Sequence, residues 1–413
     1  MSKAYDVIVI GARCAGSPTA MLLARKGYRV LLVDRASFPS DTLSTHVVQP
    51  LGVAALERWG LLERLVATAC PPIDTYAFDF GPVTLAGSPG TDAAPVAYCP
   101  RRTVLDKLLV DAAAEAGAEV RERFNVTEIV IEDGRVAGIK GHAKDGPDVV
   151  DRARVVVGAD GRRSMLAEAV GAERYREKPA LLCGYYTYWS DLEVGACFAT
   201  YVRDRRGFAT APTHDGLTLV VAGWPAAELD ANKHDVEGHY LRALDQAPEL
   251  AERVRAAKRE APFAGTLVPN YFRKPYGPGW ALVGDAGYNR DFITAQGIGD
   301  AFRDAERCAV ALDETLGGAR GFDDAMADYQ RERDEHVLAM YEFTCGLATL
   351  EPPPPEMQQL FAAMSGRRDA MDDFARVNAG TISPAEFFAP ENVAAIMGRA
   401  ATARTRTSAA HAT

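Results

Sequence analysis

Two short apolar runs near the start of the chain predict buried parallel strands. Residues 7–10 (Val-Ile-Val-Ile) and 28–33 are dominated by aliphatic side chains, many of them β-branched, which is typical of strands covered on both faces. Between them, residues 18–25 carry small and apolar side chains typical of a helix, with Pro18 near its first turn and Gly27 just after its end. The order of strand, glycine turn, helix and strand predicts a βαβ unit.

Further along the chain, the spacing of apolar side chains predicts both helices and strands. A helix is predicted over 103–116, where Thr103 and Asp106 resemble a capping box and Gly117 ends the apolar face. Further helices are predicted over 47–59, 61–66, 230–257, 301–316 and 322–344. Strands are predicted over 75–80, 83–85, 120–124, 126–132, 135–142, 149–150, 154–157, 266–268 and 280–283, with a β-rich stretch over 181–224.

Composition and charge narrow the classes of protein that fit. The chain has 413 residues, 48% of them hydrophobic and 25% charged, as expected for a globular protein with a large core. The net charge of −10, without a basic stripe, argues against a nucleic-acid partner. No apolar run is long enough to span a membrane, and the first strand begins too early to leave room for a signal peptide. Seven cysteines without CxxC spacing predict reduced thiols, a cytoplasmic protein and no metal site.

The turn after the first strand, residues 11–16 (Gly-Ala-Arg-Cys-Ala-Gly), predicts a nucleotide site. Gly11 suits a tight turn, and Gly16 suits close packing of the helix against the strand. Cys14 and Ala15 lie at the helix N-terminus, whose free N–H groups and positive dipole end favour a pyrophosphate.

Arg13 departs from the dinucleotide-binding fingerprint G-x-G-x-x-G, which has glycine at that position. An arginine there either contributes charge to the pyrophosphate or points to solvent, and the sequence leaves both interpretations open. The strand, the helix and the acid after the second strand all lie where the fingerprint requires them. The prediction of a nucleotide site therefore stands.

Three predicted strands are each followed by an acidic residue. Asp34 ends the second strand, where it can accept a hydrogen bond from a ribose hydroxyl, and Arg35 follows it. Asp160 follows a later strand in the run Gly-Ala-Asp-Gly, and Asp285 follows another in Gly-Asp-Ala-Gly. Open α/β sheets bind ligands at the carboxyl ends of their strands. Three carboxylates there favour one extended, hydroxyl-rich ligand, and FAD fits better than NAD because its ribityl chain adds hydroxyls.

These motifs resemble those of the flavoprotein monooxygenase superfamily with the para-hydroxybenzoate-hydroxylase fold, over residues 4–345. The superfamily also contains flavin-dependent halogenases and geranylgeranyl reductases. The matching positions imply FAD contacts by Gly11, Arg13, Cys14, Ala15, Gly16, Asp34, Arg35, Arg102, Asp160, Gly284, Asp285, Gln296, Gly297 and Ile298. Gly297 opens the long predicted helix, whose N-terminus can stabilise an anionic reduced flavin. Phe292 stands where the family has a proline, so no role of that proline is carried over.

The resemblance implies an α/β fold with a Rossmann-like FAD-binding domain, a β-sheet substrate domain and a C-terminal helical region. The FAD-binding domain is expected over residues 1–70, 97–175 and 262–345. The β-rich substrate domain is expected over 71–96 and 176–261. Residues 346–400 are expected to be helical and residues 401–413 to form a disordered tail.

The resemblance also implies an activity, that of a FAD-dependent monooxygenase (hydroxylase) of secondary metabolism. In the family, NADPH or NADH reduces FAD, and a flavin C4a-hydroperoxide formed with O2 oxygenates a hydrophobic or aromatic small molecule. The chain shows no second dinucleotide unit, which suits family members whose reductant visits the same cleft. The expected assembly is a monomer or a homodimer.

Three other activities stay open at this point. The main alternative is a reductase of C=C bonds resembling geranylgeranyl reductases, because residues 294–298 (Thr-Ala-Gln-Gly-Ile) fit that branch well. A halogenase is less favoured, since the chain has no Trp-x-Trp-x-Ile-Pro stretch. A non-catalytic flavin-binding sensor is the least favoured.

The β-rich stretch 181–224 is the expected wall of the substrate pocket. Its aromatic side chains at strand spacing could contact a substrate or simply fill the core. The candidate pocket residues are Tyr185, Tyr188, Phe198, Trp224 and Phe292.

Two histidines are candidate catalytic groups that could transfer a proton to or from a phenol. His46 lies in a polar loop expected beside the flavin, and catalytic and structural roles are equally favoured for it. His214 lies on a predicted turn of the substrate sheet, where a histidine without a catalytic role is favoured.

Overall fold

The computed structural model describes residues 4–410 as four β-sheets and fourteen α-helices. Strands β1–β10 span Ala4–Ile10, Val30–Val33, Pro72–Ile73, Thr75–Asp79, Thr84–Gly87, Ala97–Tyr98, Glu119–Arg121, Phe124–Glu132, Arg135–Ala143 and Val149–Gly158. Strands β11–β21 span Arg174–Lys178, Leu182–Ser190, Cys197–Arg203, Arg206–Pro212, Thr218–Pro225, Lys258–Arg259, Ala264–Leu267, Asn270–Arg273, Tyr276–Gly277, Trp280–Leu282 and Tyr288–Asn289. Helices α1–α14 span Gly16–Arg25, Pro50–Arg58, Leu62–Val66, Arg102–Glu115, Met165–Ala169, Leu229–Asn232, Val236–Leu244, Pro248–Ala256, Gly297–Leu316, Phe322–Leu347, Pro355–Met364, Arg368–Ala379, Pro384–Phe387 and Pro390–Ala410.

The first sheet has eight strands and is built around the predicted βαβ unit. Its main path is β19-β20-β10-β1-β2-β7, and the pairs from β20 to β7 are parallel. Val9 of β1 lies between Val157 of β10 and Leu32 of β2, so aliphatic side chains fill the centre of the sheet. The carboxyl ends of these three strands share one edge, and the ligand site of an open α/β sheet is expected there.

Both faces of this sheet are buried. Val7 and Val9 join the core formed with α1, α4, α9 and α10. Ile8 and Ile10 join a second core, formed with β8, β9 and α5. Alternate residues of β1 therefore enter opposite cores, which explains why its sequence is apolar without interruption.

The second sheet also has eight strands, with the path β16-β12-β15-β14-β13-β4-β5 and β17 paired to β12. Tyr186 and Tyr188 of β12 pack on the face that meets the C-terminal helices α11–α14. Tyr185 and Trp189 pack on the opposite face, against α7 and α8. The period of two along β12 thus decides which aromatic side chains can face a pocket.

Local differences from the predicted elements have simple causes. Residues 47–49 are extended rather than helical, because α2 begins at Pro50 and the preceding Gln49 has a ψ of 161°. Proline suits the first turn of a helix and disfavours helical backbone in the residue before it. Residues 149–150 and 154–157 belong to one continuous strand, β10. The predicted helix over 230–257 is divided into α6, α7 and α8.

The predicted α/β class is confirmed, with the C-terminal region in helices α11–α14. The expected domain boundaries stay a prediction. The expected tail over 401–413 overlaps the end of α14, and residues 411–413 lie outside the described residues. Among the helices within residues 4–410, none combines the length and apolar character needed to cross a lipid bilayer. The same residues contain no group of three histidine, cysteine, aspartate or glutamate side chains arranged to hold a metal ion.

Candidate active site

The glycine turn after β1 is packed tightly against the end of β10. Gly11 has a φ of +100°, and a Cβ on it would lie 2.4 Å from the carbonyl oxygen of Ala159. A Cβ on Gly16 would lie 1.7 Å from the carbonyl oxygen of Gly11. Both positions therefore require glycine. The first turn of α1 has neither a side-chain cap nor an acidic residue, so its N-terminus is positively polarised.

Asp34 stabilises this turn from the end of β2. Its Oδ2 accepts a hydrogen bond from the N–H of Ala12 at 2.7 Å, and its Oδ1 accepts one from the N–H of Ala36 at 2.8 Å. The carboxylate is half-buried, and the neighbouring Arg35 is exposed. Asp34 thus lies beside the glycine turn, where the fingerprint requires an acid. Its contact with a ribose, and any contact by Arg35, stay predictions.

Arg13 points into the protein. Its guanidinium forms an ion pair with Asp106 at 2.5 Å and donates to Oγ of Ser40 at 3.1 Å. The guanidinium carbon also lies 5.3 Å from the centre of the Phe38 ring. Arg13 therefore ties the loop after β2 to helix α4. The interpretation that it points to solvent is wrong, and a contribution to the pyrophosphate stays a prediction.

Asp106 is completely buried and is shared by two arginines. Arg102, one turn earlier in α4, donates to its two carboxylate oxygens at 2.8 and 3.1 Å, while Arg13 binds it from the other side. Two cations compensate the buried carboxylate. The predicted capping box of Thr103 and Asp106 is wrong, because α4 has no side-chain cap and Asp106 faces the arginines instead.

Cys14, Ala15 and Ile298 lie in the core between α1 and α9. Burial raises the pKa of the Cys14 thiol well above its usual range, so it stays protonated. A Cβ on Gly284 would lie 2.9 Å from the Cβ of Ala15, which explains the glycine in the Gly-Asp turn. Contacts of these positions with a cofactor would therefore come from the backbone.

Asp285 lies in a cleft with two arginines near it. Its side chain keeps solvent-accessible surface, yet protein surrounds it closely enough to raise the pKa of the carboxyl to about 6. Desolvation is the main cause, and Arg102 and Arg162 oppose it. Arg162, which donates to the carbonyl oxygen of Leu267 at 2.6 Å, was not foreseen from the sequence.

The Asp160 carboxylate forms its hydrogen bond within the protein. Its Oδ2 accepts a hydrogen bond from the N–H of Met165 at 2.7 Å, at the start of α5. Its Oδ1 is buried and has no partner among the described residues. Burial raises the pKa of this carboxyl. A contact of Asp160 with FAD stays a prediction.

The loop before α9 is held from several sides. Ala295 has a φ of +51°, which is strained for a residue with a side chain, and α9 begins two residues later without a side-chain cap. The Gln296 side chain donates to the carbonyl oxygen of Asn378 in α12 at 2.5 Å. A contact of Gln296 with a cofactor would therefore come from its backbone. Gly297 is exposed.

Gln49 holds the same loop from the opposite side. Its Nε2 donates to the carbonyl oxygens of Thr294 and Ala295, at 3.3 and 3.4 Å. Its Oε1 accepts a hydrogen bond from the hydroxyl of Tyr76 in β4 at 2.5 Å. Sequence reasoning missed Gln49 because the predicted helix over 47–59 gave it no particular role.

His46 is a neutral, completely buried residue. Its Nε2 lies 2.7 Å from the hydroxyl of Tyr188, its Nδ1 has no partner among the described residues, and its φ is +65°. Burial, together with the nearby charge of Arg102, lowers the pKa of His46 to about 3. A general acid or base works best with a pKa near the working pH, so the geometry favours a hydrogen-bonding role for His46 over proton transfer.

His214 is held by the protein on both ring nitrogens. Its Nδ1 accepts the N–H of Arg101 at 3.1 Å, and its Nε2 lies 2.8 Å from Oγ1 of Thr68. The proton is therefore on Nε2. Neither ring nitrogen is open to a substrate in this geometry, which argues against the predicted catalytic role of His214.

A cavity of about 400 Å³ separates the second sheet from the C-terminal helices. Its lining includes Thr45, Phe292, Ile293 and Ala295 of the loop before α9, and the segment 350–354. Its lining is dominated by aromatic and aliphatic side chains, among them Phe78, Phe80, Leu182, Phe198, Val221, Phe292, Phe343, Phe361 and Phe388.

Of the five predicted pocket residues, Phe198 and Phe292 line this cavity. Tyr185 and Trp224 do not, since both pack on the other face of the sheet against α7 and α8. This packing argues against their predicted place in the pocket. Tyr188 shares the cavity face of β12 with Tyr186, but its hydroxyl is engaged with His46.

Two glycines of the second sheet, Gly207 and Gly223, line the cavity, and Gly184 lies next to them on β12. Gly223 of β15 pairs with Gly184 of β12 on one side and with Gly207 of β14 on the other. A Cβ on Gly184 would lie 2.8 Å from Cζ of Phe292, so that ring rests directly on the strand. Gly207 likewise leaves room for Leu350, because a Cβ on Gly207 would lie 3.2 Å from Cδ2 of Leu350. The glycines thus let loop side chains approach the sheet.

The residues at the edge of the first sheet fit FAD. The turn formed by Gly11 and Gly16 has no room for a Cβ, and Asp34 lies beside it. Asp285 presents a solvent-accessible carboxylate in a cleft. The uncapped N-termini of α1 and α9 supply N–H groups and positive dipole ends.

Comparison with known proteins agrees with this assignment. The family model described as "FAD binding domain" matches residues 4–344. Digeranylgeranylglycerophospholipid reductase 1 of Methanopyrus kandleri is 27% identical over 364 residues, which cover 84% of this chain and 91% of that protein.

Two solved structures share the fold. The myxobacterial chondrochloren halogenase CndH superposes with a TM-score of 0.79 at 22% identity, covering 96% of this chain and 97% of that one. PqsL of Pseudomonas aeruginosa, described as a probable FAD-dependent monooxygenase, superposes with a TM-score of 0.69 at 21% identity, covering 92% and 100%. At such identities the likeness concerns the fold alone. The family match decides the assignment: the chain belongs to the FAD-binding domain family and is a FAD-dependent oxidoreductase.

Proposed function

We propose that this oxidoreductase is a monooxygenase, which takes electrons from NADPH or NADH and uses O2 to oxygenate a hydrophobic, aromatic small molecule. The observation that carries the proposal is the cavity of about 400 Å³ whose lining includes residues of the loop before α9. That loop precedes the helix N-terminus expected to face the flavin. A molecule in the cavity would therefore lie next to the cofactor.

The lining of the cavity supports an apolar, aromatic substrate. Phenyl rings come from the sheet, through Phe78 and Phe198, and from the helices, through Phe343 and Phe361. Such rings offer edge-to-face and offset-stacked contacts to an aromatic molecule. The volume lies toward the lower end of the roughly 300–1,000 Å³ typical of sites for drug-sized ligands.

The protein's own groups would orient the substrate and keep water away from it. FAD, when bound, supplies the electron transfer and the activation of oxygen. The apolar walls exclude water from the space beside the loop, which protects reactive species from side reactions. The uncapped N-terminus of α9 offers N–H groups where negative charge develops on reduction.

A second candidate function is the reduction of a C=C bond in a lipid. It is favoured by the 27% identity to a digeranylgeranylglycerophospholipid reductase over 84% of the chain. The cavity argues against a substrate of that size, since a lipid with two geranylgeranyl chains needs far more room than about 400 Å³.

Oxygen consumption separates the two functions. The purified protein loaded with FAD would be mixed with NADPH and a panel of phenols, naphthols and indoles. A monooxygenase consumes NADPH and O2 together, faster with the right compound. A reductase converts its substrate under anaerobic conditions. Anaerobic turnover without any need for O2 would overturn the proposal.

A further inference from the structure

The segment 46–49 connects the second sheet to the loop before α9. Two tyrosines of the sheet bind it: the Tyr188 hydroxyl lies 2.7 Å from Nε2 of His46, and the Tyr76 hydroxyl donates to Oε1 of Gln49 at 2.5 Å. Tyr76 also makes an edge-on contact with the cavity-lining Phe198, with ring centres 5.1 Å apart. The cavity wall is thus connected to this segment by direct contacts.

The orientation of the Gln49 amide is fixed by its partners. The carbonyl oxygens of Thr294 and Ala295 can only accept hydrogen bonds, so the amide nitrogen must face them. The amide oxygen then faces Tyr76, whose hydroxyl must donate. Gln49 is buried, so none of these groups can exchange its partner for water.

The two carbonyls held by Gln49 set the direction of the peptide groups just before α9. In a trans peptide the N–H points away from the C=O. Holding the Ala295 carbonyl toward Gln49 therefore turns the N–H of Gln296 to the opposite side. Gln296 is the N-cap of α9, whose first N–H groups have no partners within the helix.

We propose that Gln49 is a positioning residue that orients the N-terminus of α9 toward the flavin, and that Tyr76 holds Gln49 in place. The proposal rests on FAD binding, which the family assignment supports, and not on the monooxygenase activity. It links the cavity wall to the cofactor loop through named side chains, Phe198, Tyr76 and Gln49.

The first test is the midpoint potential of the bound flavin, measured on the FAD-loaded protein. Gln49→Met keeps the size of the side chain but removes both hydrogen-bonding functions. In this variant the first N–H groups of α9 would stabilise the anionic reduced flavin less. The ratio of the affinities for reduced and oxidised FAD should therefore fall about tenfold, which corresponds to a change of about 30 mV in the midpoint potential of a two-electron couple. Tyr76→Phe should shift the potential in the same direction by a smaller amount.

Tyr240→Phe is the matched control. It removes the hydrogen bond from another buried tyrosine, whose hydroxyl donates to the carbonyl oxygen of Val220 at 3.1 Å on the other face of the sheet. This variant should lose comparable stability without any change in potential. Equal potentials in wild type, Gln49→Met and Tyr76→Phe would overturn the proposal, whatever the stability of the variants.

A second readout needs no bound FAD. Amide hydrogen exchange in residues 292–298 of the apoprotein should accelerate in Gln49→Met and Tyr76→Phe but not in Tyr240→Phe. If Gln49→Met does not fold, the exchange rates measured in Tyr76→Phe test the proposal on their own. Unchanged exchange in this segment would contradict the proposal even if FAD binding itself failed.

Discussion

The Tyr188 hydroxyl and Nε2 of His46 lie 2.7 Å apart in a buried contact, and the other ring nitrogen of His46 has no partner among the described residues. This relationship makes His46 a neutral histidine that is fixed by the second sheet. Protonating it inside the protein would place a charge in a desolvated site close to Arg102. His46 should therefore contribute to the pH dependence of stability.

When the pH falls from 7 to 5, the buried neutral His46 should lower the free energy of unfolding. Its pKa in the folded state is about 3, against 6.5 for an ordinary histidine, so the unfolded chain takes up a proton in this range and the folded protein does not. The loss is about 2 kcal/mol by linkage. Urea unfolding of His46→Asn at both pH values should show a correspondingly smaller loss. An identical loss in wild type and His46→Asn would contradict the assigned pKa, and the exposed His234→Asn serves as control.

Asp285→Asn should stabilise the apoprotein near pH 7 and weaken FAD binding. The folded-state pKa of about 6 lies above the ordinary value of 3.8, so keeping this carboxylate ionised costs stability as the pH rises through 6. The asparagine removes that cost but is a poorer acceptor for a ribityl hydroxyl. Thermal unfolding of the apoprotein and fluorescence titration with FAD measure the two effects. Unchanged FAD affinity would refute the placement of Asp285 beside the cofactor.

Arg13→Gly restores the dinucleotide fingerprint but should not improve FAD binding. The variant loses the ion pair to Asp106 and the hydrogen bond to Ser40, so the loop after β2 is released. We expect about a tenfold rise in the dissociation constant of FAD, the size expected for losing one charge-assisted hydrogen bond. Limited proteolysis should show faster cleavage within residues 38–46. Unchanged affinity and cleavage would make Arg13 a bystander, and Arg29→Gly is the surface control.

Phe198→Leu and Tyr185→Leu compare the two faces of the second sheet. Both side chains are buried, so each change should destabilise the fold by about 1–3 kcal/mol. Phe198 lines the cavity and Tyr185 packs against α7 and α8. The KM for an aromatic substrate should therefore rise only in Phe198→Leu, with FAD affinity unchanged in both. Equal effects on KM would contradict the assignment of the cavity.

The part of the fold that follows from local sequence was predictable. Continuous apolar runs identified β1 and β2, and the glycine turn and Asp34 followed from a motif whose parts lie close together in the chain. That Tyr185 and Trp224 face away from the cavity was not predictable, because alternation along a strand shows which residues share a face but not which face meets α7 and α8. That choice depends on the tertiary packing.

The missed residues share a different cause, which is pairing between distant segments. Gln49 binds a residue 27 positions away and carbonyls 245 and 246 positions away, and Arg13 pairs with an aspartate 93 positions away. Such contacts leave no periodic signal in the chain. Single side chains whose partners are set by the fold were therefore beyond prediction from this sequence.

The most direct test of the central claim is the fate of molecular oxygen during turnover. The FAD-loaded protein, NADPH and an uncharged aromatic substrate would react under O2 enriched in its heavy isotope, and the product would be analysed by mass spectrometry. We predict a product that carries one labelled oxygen atom, formed together with NADPH oxidation. A product that gains two hydrogens and no label would contradict the monooxygenase assignment.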